Sequence, residues 1–307
     1  RIITRREWLS LCASAIILSP VLLSADSQIP EKILRKIPST GELLPVVGMG
    51  TSRTFDADAD PVTLSRLAQV MDAFLDGGGT VLDSSPMYGK AESRVGDVLR
   101  LLPEARNVFA ATKVWTEGRE EGIEQMRTSA QRMNVDRFDL IAVHNLLDWK
   151  TQLATLKAWK AEGRVRYIGI TTSHGRYHDE LLEIMASEPL DFVQFSYNIG
   201  NRVAEERLLP LAMDRGIATM INRPYQRGAL FKRSAGQELP AVASDLGCAS
   251  WGQFYLKFII GHPAVTCLIP ATSKVKHMQD NMRANAGPVP DSRQRQEMLR
   301  VFEALPA

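Results

Sequence analysis

A strand, a helix and a second strand follow one another in residues 137–171, RFDLIAVHNLLDWKTQLATLKAWKAEGRVRYIGIT. The outer segments, 139–144 and 166–171, are short apolar runs typical of strands that are buried on both faces. The middle segment, 151–163, has apolar residues at helical spacing and ends in glycine, as many helices do. This order predicts one strand–helix–strand unit of an α/β fold.

The same alternation continues through the rest of the chain. Further apolar runs that we interpret as strands lie at 46–51, 80–84, 108–114, 191–197, 217–222 and 264–270. Helical patterns lie at 61–78, 123–134, 178–187, 203–216 and 248–260, and Pro210 predicts a kink or break in the fourth of these.

Eight strands separated by such patterns predict an α/β fold of the (β/α)8 TIM-barrel type, as a single domain. A doubly wound sheet is the alternative. The dinucleotide-binding fingerprint GxGxxG of that fold is missing, because residues 48–53 read GMGTSR and end in arginine.

The N-terminal 25 residues have the order of an export signal. Arg5 and Arg6 precede a moderately apolar run, and the run ends at Ser24 and Ala25, small residues that suit a signal peptidase. The paired arginines resemble the twin-arginine type of signal. We therefore expect a precursor that is recognised by export machinery and a periplasmic or otherwise exported product, without stable membrane insertion after cleavage.

A membrane anchor formed by an uncleaved N-terminus is the alternative location. Residues 8–25 are borderline in length for a membrane span, although their serines and proline weaken them as one. The predicted organisation is an export signal at 1–25, a linker at 26–36 and the barrel at 37–307.

Charge and cysteine content exclude several function classes. Residues 1–25 hold three arginines and one glutamate, and the remainder carries 34 basic and 34 acidic side chains. A neutral body without a basic stripe argues against nucleic acid as a partner. Cys12, Cys248 and Cys267 have no CxxC spacing, so we expect neither a metal site nor a structural disulfide.

Four polar residues lie at or just after the ends of three consecutive predicted strands: Asp83, Tyr88, Lys113 and His144. Each alone has a structural explanation, such as helix capping, a solvent-seeking lysine or a core histidine. In a TIM barrel, however, neighbouring strand ends meet at one rim, and this rim carries the active site. The sequence therefore predicts that the four side chains lie together.

The chemistry of these four groups fits general acid catalysis on a carbonyl. A phenol has a pKa near about 10, and a neighbouring ammonium group lowers it. A carboxylate would hold the lysine in place, and an imidazole would orient a carbonyl oxygen toward the phenol. Such a reaction needs a hydride donor on the other side of the carbonyl.

Several segments resemble the aldo-keto reductase family, over residues 37–284. Residues 83–92, with Asp83, Tyr88, Gly89 and Glu92, resemble the family's Asp-x-x-x-x-Tyr-Gly-x-x-Glu motif, and AATKVW (110–115) resembles its lysine strand. RFDLIAVHN (137–145) resembles the histidine strand, and LKAWKAEGRVRYIGITT (156–172) the segment that leads into the fifth strand. IPSTGELLPVVGMGT (37–51) resembles the hairpin that closes the bottom of the barrel, followed by the first strand.

The resemblance implies a role for each of the four residues. Tyr88 would be the proton donor, Lys113 and Asp83 would tune it, His144 would orient the carbonyl, and NADPH would supply the hydride. Implied cofactor-binding residues are Thr51, Thr171, Thr172, Gln194, Tyr197, Asn222, Arg223, Thr272, Lys274, His277 and Asn281. Tyr197 is expected to stack on a ring, and Arg223 to bind the pyrophosphate.

Departures from the family pattern concern the nucleotide. The fifth strand ends in Thr171-Thr172 where the family usually has Ser-Asn, which removes one amide. Ala271 and His277 replace residues that often hold the adenosine phosphate. Lys274, Lys276 and Thr272 favour NADPH over NADH.

The expected substrate is a small aldehyde or ketone in an apolar pocket. Phe55, Met87, Trp115 and Trp149 fall in or beside the rim loops and either line this pocket or pack loop against loop. No arginine is clearly placed for a substrate carboxylate. A non-catalytic nucleotide-binding or sensing module on the same barrel is the alternative function. A metal hydrolase lacks the paired ligands that it would need.

Overall fold

A computed structural model describes residues 31–102 and 108–306 of the chain. It opens with an antiparallel hairpin of β1 (Leu34–Lys36) and β2 (Leu43–Pro45), in which Arg35 pairs with Leu44. The hairpin thus begins within the segment that the sequence assigns to a linker. Two of the three residues of β1 are basic, so the strand has no apolar run that would reveal it.

The sheet that follows contains eight parallel strands in sequence order. Parallel bridges from Val47 to Leu268 and from Gly50 to Ala271 join its two edges, so that the sheet closes into a barrel. The predicted TIM-barrel architecture is confirmed. The strands are β3 (Met49–Gly50), β4 (Val81–Asp83), β5 (Phe109–Val114), β6 (Phe138–His144), β7 (Val165–Thr171), β8 (Phe192–Ser196), β9 (Ala218–Asn222) and β10 (Cys267–Leu268).

Helices connect the strands and cover the outside of the barrel. Pro210 lies in the first turn of α6, where its missing N–H has no helical partner to lose, and a separate 3-10 turn at Val203–Glu205 precedes that helix. The expected break is therefore present upstream of the proline. The helices are α1 (Pro61–Asp76), α2 (Ala91–Leu101), α3 (Arg119–Met133), α4 (Trp149–Ala161), α5 (His178–Ser187), α6 (Leu208–Arg215), α7 (Ala229–Arg233), α8 (Ala241–Asp245), α9 (Trp251–Ile260), α10 (Val275–Arg283) and α11 (Ser292–Ala304).

Side chains of alternate strand residues fill the interior of the barrel, because successive residues of a strand point to opposite faces. Ile37 and Leu44 of the hairpin segment belong to the same buried cluster. The cluster thus fills the lower half of the barrel and leaves the carboxyl-terminal rim for polar groups. Its strand residues include Val81, Phe109, Ala111, Leu140, Tyr167, Phe192, Ala218, Met220 and Cys267.

Within residues 31–102 and 108–306, no helix is both long and apolar enough to cross a membrane.

Candidate active site

The alternation along the strands places the polar rim directly above the apolar interior. On β4, Asp83 follows Val81 on the inward face, and on β5 Lys113 follows Phe109 and Ala111. On β6, His144 lies four residues after the inward Leu140. The same spacing brings Thr171, Gln194 and Asn222 to the inward face of β7, β8 and β9.

A buried ion pair lies at the floor of this rim. The Lys113 ammonium donates to both carboxylate oxygens of Asp83, at 2.8 and 2.7 Å, and to the Ser84 carbonyl at 2.7 Å. Burial lowers the pKa of Lys113, but the charge and hydrogen bonds of Asp83 outweigh this and raise the pKa above its usual value. Lys113 therefore stays charged at neutral pH.

Tyr88 lies between this ion pair and the histidine. The Lys113 nitrogen is 5.3 Å from the centre of the Tyr88 ring, and the His144 ring meets the Tyr88 ring edge-on with centres 5.7 Å apart. The turn after Tyr88 depends on Gly89, whose φ is 59°. A Cβ at that position would lie 2.4 Å from Asp56 Oδ1, so the glycine allows the close approach.

His144 is held by a residue that the sequence analysis did not single out. The Ser85 hydroxyl lies 2.8 Å from His144 Nδ1, and the same oxygen accepts a hydrogen bond from the Met87 N–H at 3.2 Å. Ser85 follows Asp83 within the same motif, at a position that strand spacing places on the same face as Asp83. That spacing is the sequence signal that could have identified it.

Burial governs the protonation of the two rings. Desolvation and then the Lys113 charge lower the pKa of His144 to about 2, so its imidazole is neutral at physiological pH. Desolvation raises the pKa of Tyr88, and the opposing effect of Lys113 is smaller. The effect of Lys113 on the Tyr88 pKa thus has the direction that the sequence predicts, but desolvation outweighs it and the net shift is upward. Tyr88 is protonated at neutral pH.

Amide and hydroxyl groups continue the network around the rim. Gln194 donates to Asp83 Oδ1 at 3.2 Å and accepts from the Thr171 hydroxyl at 3.1 Å. Asn222 donates to the Thr172 carbonyl at 2.9 Å, while Oγ1 of Thr172 is buried without a hydrogen-bond partner among the described residues. Such an unpaired buried hydroxyl is uncommon in folded proteins.

These groups open into a cavity of about 1030 Å³. The cavity extends from Tyr88 and His144 across the rim to the first turn of α10. Other described residues that line it include Thr51, Arg53, Asp83, Met87, Thr171, His174, Arg176, Gln194, Asn222, Arg223, Arg227, Trp251, Thr272, His277 and Asn281. A cavity of this size accommodates a dinucleotide together with a small substrate.

Comparison with known proteins agrees with this architecture. The sequence profile of the Aldo/keto reductase family matches residues 46–296. The chain belongs to the aldo/keto reductase family. This membership confirms the predicted enzyme class, an oxidoreductase.

Among curated members, methylglyoxal reductase YeaE of Escherichia coli is 28% identical over 249 residues, which are 78% of this chain and 84% of that protein. An NADH-specific methylglyoxal reductase of the same species is 28% identical over 64% of this chain and 69% of its own length. A Klebsiella pneumoniae aldo-keto reductase, solved in complex with NADPH, superimposes with a TM-score of 0.73 at 20% identity. That likeness covers 89% of this chain and 95% of the other, and it shows the shared fold.

Tyr197 is fully buried and does not line the cavity. It follows Ser196 on β8 and therefore points outward, into the core between the barrel and its helices. Its hydroxyl contacts Glu205 and Arg295, and its ring lies 6.3 Å from that of Phe258. The prediction that Tyr197 binds the cofactor is wrong.

The four residues expected either to line the substrate pocket or to pack loop against loop divide between these alternatives. Met87 lines the cavity, but Phe55 is fully buried in the core and Trp149 packs against the same core from the start of α4. Trp115 is 38% exposed and lies outside the cavity, where its backbone bonds to Gln125. Loop residues near an active-site rim therefore need not face it.

The residues expected to hold the adenosine end divide into two groups. Thr272, His277 and Asn281 line the cavity, whereas Lys274, the residue that precedes α10, is exposed and lies outside the lining.

Thr51 lines the cavity, but its hydroxyl is already bonded to the Asp83 carbonyl and to Ser84. Thr172 lies one residue past the inward Thr171 and is buried behind the lining.

Arginines line the cavity as well, although the sequence showed none clearly placed for a substrate carboxylate. Besides Arg223 they are Arg53, Arg176 and Arg227, each in a loop that follows a strand of the barrel. Among the described residues there is no cluster of three or more histidine, cysteine or acidic side chains that could hold a metal ion.

Proposed function

We propose that the protein reduces a small aldehyde or ketone with NADPH, and that Tyr88 is the proton donor. The observation that carries this proposal is the position of Tyr88 in the cavity, with neutral His144 on one side and the Lys113–Asp83 ion pair behind it. The methylglyoxal reductases among the relatives support a small carbonyl compound as substrate.

Each group contributes a separate function. The carbonyl oxygen of the substrate lies between Tyr88 and His144, and the Tyr88 hydroxyl protonates it as negative charge develops there. The Lys113 ammonium stabilises the phenolate that Tyr88 becomes, and Asp83 holds Lys113 in place.

His144 acts as a neutral hydrogen-bond donor. We assign the Ser85 hydroxyl as the donor to His144 Nδ1, which leaves the proton of the imidazole on Nε2. The Nε2–H group then orients the carbonyl oxygen toward Tyr88. A charged imidazolium is not needed, in accord with the low pKa of His144.

The residues around the cavity fit a nicotinamide dinucleotide. Gln194, Asn222 and Thr171 offer amide and hydroxyl groups for the carboxamide, and Arg223 offers charge for the pyrophosphate. When bound, the cofactor supplies the hydride for the carbonyl carbon.

The preference for NADPH rests on the far end of the cavity. Thr272 and His277 line it beside the start of α10, where backbone N–H groups and the helix dipole favour a phosphate. Lys274 and Lys276 add positive charge nearby. Complexes of related reductases with NADPH or NADP support this choice. The NADH-specific relative makes NADH the alternative cofactor to be tested.

A fluorescence titration of the purified protein with NADPH and NADH, after removal of any bound nucleotide, tests the proposal. We expect tighter binding of NADPH, and carbonyl reduction that is lost in Tyr88→Phe while nucleotide binding is kept. Full activity of the Tyr88→Phe variant would remove the proposed acid. Nucleotide binding without reduction of any carbonyl compound would favour the nucleotide-binding or sensing module instead.

We further propose that residues 1–25 direct the protein out of the cytoplasm by a twin-arginine route, an assignment that lies outside the described residues. Its support is the Arg5-Arg6 pair before an apolar run. Replacing both arginines by lysine in a precursor should trap the protein in the cytoplasm. Unchanged export would exclude this route, and a membrane-bound product would indicate the uncleaved anchor.

A further inference from the structure

Four arginines from three different loops line the active-site cavity. Arg53 follows β3, Arg176 follows β7, and Arg223 and Arg227 follow β9. Their loops are separate in sequence, so their convergence on one cavity is a property of the folded barrel. No single stretch of the sequence shows this concentration of positive charge.

None of the four arginines forms an ion pair with an acidic residue in 31–102 or 108–306. Three acidic side chains line the cavity, and each has other partners. Asp83 pairs with Lys113, Asp56 accepts the Lys90 N–H at 2.9 Å, and Asp280 accepts from Ser250 and Gln253, each at 2.6 Å. Lys113 neutralises Asp83, whereas the donors to Asp56 and Asp280 are uncharged, so four positive charges face two negative ones and the described cavity keeps an excess of positive charge.

The four guanidinium groups are close enough to act on one another and on His174. Burial first, and then the charges of all four arginines, lower the pKa of His174. Burial and the charges of the other three likewise lower the pKa of Arg223. Positive charges that converge on one cavity without enough acidic partners attract an anion into it.

The backbone of these loops is held in an unfavourable conformation. Arg53, His174, Arg223 and Arg227 have φ values of 64°, 65°, 54° and 57°, in the left-handed region that non-glycine residues rarely adopt. Such strain concentrates at ligand-binding sites, where surrounding contacts maintain it. The loops thus hold the arginines toward the cavity at a cost in stability.

Arg223 and Arg227 follow the same strand, β9, whereas Arg53 and Arg176 follow two other strands, β3 and β7. The loop after β9 adjoins the segment expected to hold the adenosine phosphate, because Tyr225 of that loop donates to Asn281 of α10 at 2.7 Å. Arg223 and Arg227 therefore suit the pyrophosphate, whose two negative charges they balance. Arg53 and Arg176 are in loops on the two flanks of β4, β5 and β6, the strands that carry the catalytic groups.

We propose that Arg53 and Arg176 bind an anionic group of the substrate, so that the enzyme selects carbonyl compounds that carry a carboxylate. This assignment rests on the proposed reductase function and names its substrate class. A guanidinium group binds a carboxylate through two parallel hydrogen bonds, which fixes the direction of the substrate as well as its charge. The carbonyl of a short oxo-acid would then lie at Tyr88 and His144.

The test compares 4-carboxybenzaldehyde with benzaldehyde, two aromatic aldehydes that differ in one carboxylate. We expect kcat/KM to be about tenfold higher for the charged aldehyde, and this preference to disappear in Arg53→Gln and Arg176→Gln. Arg215→Gln is the matched control, because Arg215 is exposed in the last turn of α6, at the opposite end of the barrel. That variant should keep the preference.

Two further measurements separate the proposal from the function on which it rests. The Kd of NADPH should change little in Arg53→Gln and Arg176→Gln. A fall in NADPH affinity by the same factor as the fall in kcat/KM for the charged aldehyde would assign these arginines to the nucleotide and overturn the proposal. Quenching of tryptophan fluorescence by 4-carboxybenzyl alcohol and by benzyl alcohol measures binding without turnover. Equal affinity for both alcohols refutes the anion site, whereas selective binding without reduction of either aldehyde supports that site and refutes the reductase.

Discussion

The buried neutral state of His144 predicts a specific loss of stability in acid. The side chain is 5% exposed and its folded pKa is about 2, against about 6.5 in an unfolded chain. Below pH 6.5 the unfolded chain therefore binds a proton that the folded protein does not. Stability falls as the pH decreases through this range, down to the folded pKa near 2.

The magnitude follows from the two pKa values. Between pH 7 and pH 5 the free energy of unfolding should fall by about 1.9 kcal/mol through His144 alone, since one pKa unit corresponds to about 1.36 kcal/mol. The figure is the same for any folded pKa below about 4, because pH 5 lies above all of them. Other histidines add to the total, so a variant is needed to isolate this part.

Urea denaturation of the wild type and of His144→Gln, each at pH 7 and pH 5, makes the measurement. Glutamine keeps a hydrogen-bonding side chain but does not titrate, so the loss of stability between the two pH values should be smaller in the variant by about 1.9 kcal/mol. His277→Gln, a change at an exposed histidine, serves as the control and should behave like the wild type. An equal loss in wild type and His144→Gln would refute the assignment of a buried neutral imidazole.

Three other substitutions probe the same site. Lys113→Met leaves the Asp83 carboxyl buried without its cation and should destabilise the fold by about 3–5 kcal/mol in urea denaturation. Adding Asp83→Asn should recover part of this loss, and additive losses would contradict a coupled pair. Ser85→Ala removes the hydrogen bond to His144 and should lower kcat about fivefold while leaving the Kd of NADPH unchanged. A fall in nucleotide affinity instead would show that Ser85 supports the cavity rather than the imidazole.

Alternation along the strands predicts which residues near a strand end face the cavity. Phe192, Gln194 and Ser196 share the inward face of β8, so the position of Tyr197 already predicts that it points away from the cavity. The same rule explains why Thr171 faces the cavity and Thr172 lies behind it. In both cases the direction of the side chain, and not its proximity to a strand end, decides whether it reaches the cavity.

Loop residues are a different case, because no short-range rule gives their direction. Phe55 and Trp149 enter the core since apolar side chains are stabilised by burial wherever the neighbouring loops leave space. Arg53 and Arg176 face the cavity through left-handed or glycine-containing turns whose conformations depend on contacts between loops. These placements required the tertiary structure.

By itself, the sequence determined the barrel, the order of its strands and the four polar residues at their ends, because strand and helix periods and strand-end positions are local properties. Only the tertiary structure decided the protonation of Tyr88 and His144 and the meeting of four arginines in one cavity. Burial, desolvation and electrostatic repulsion depend on groups that are distant in the chain, and folding alone brings these groups together.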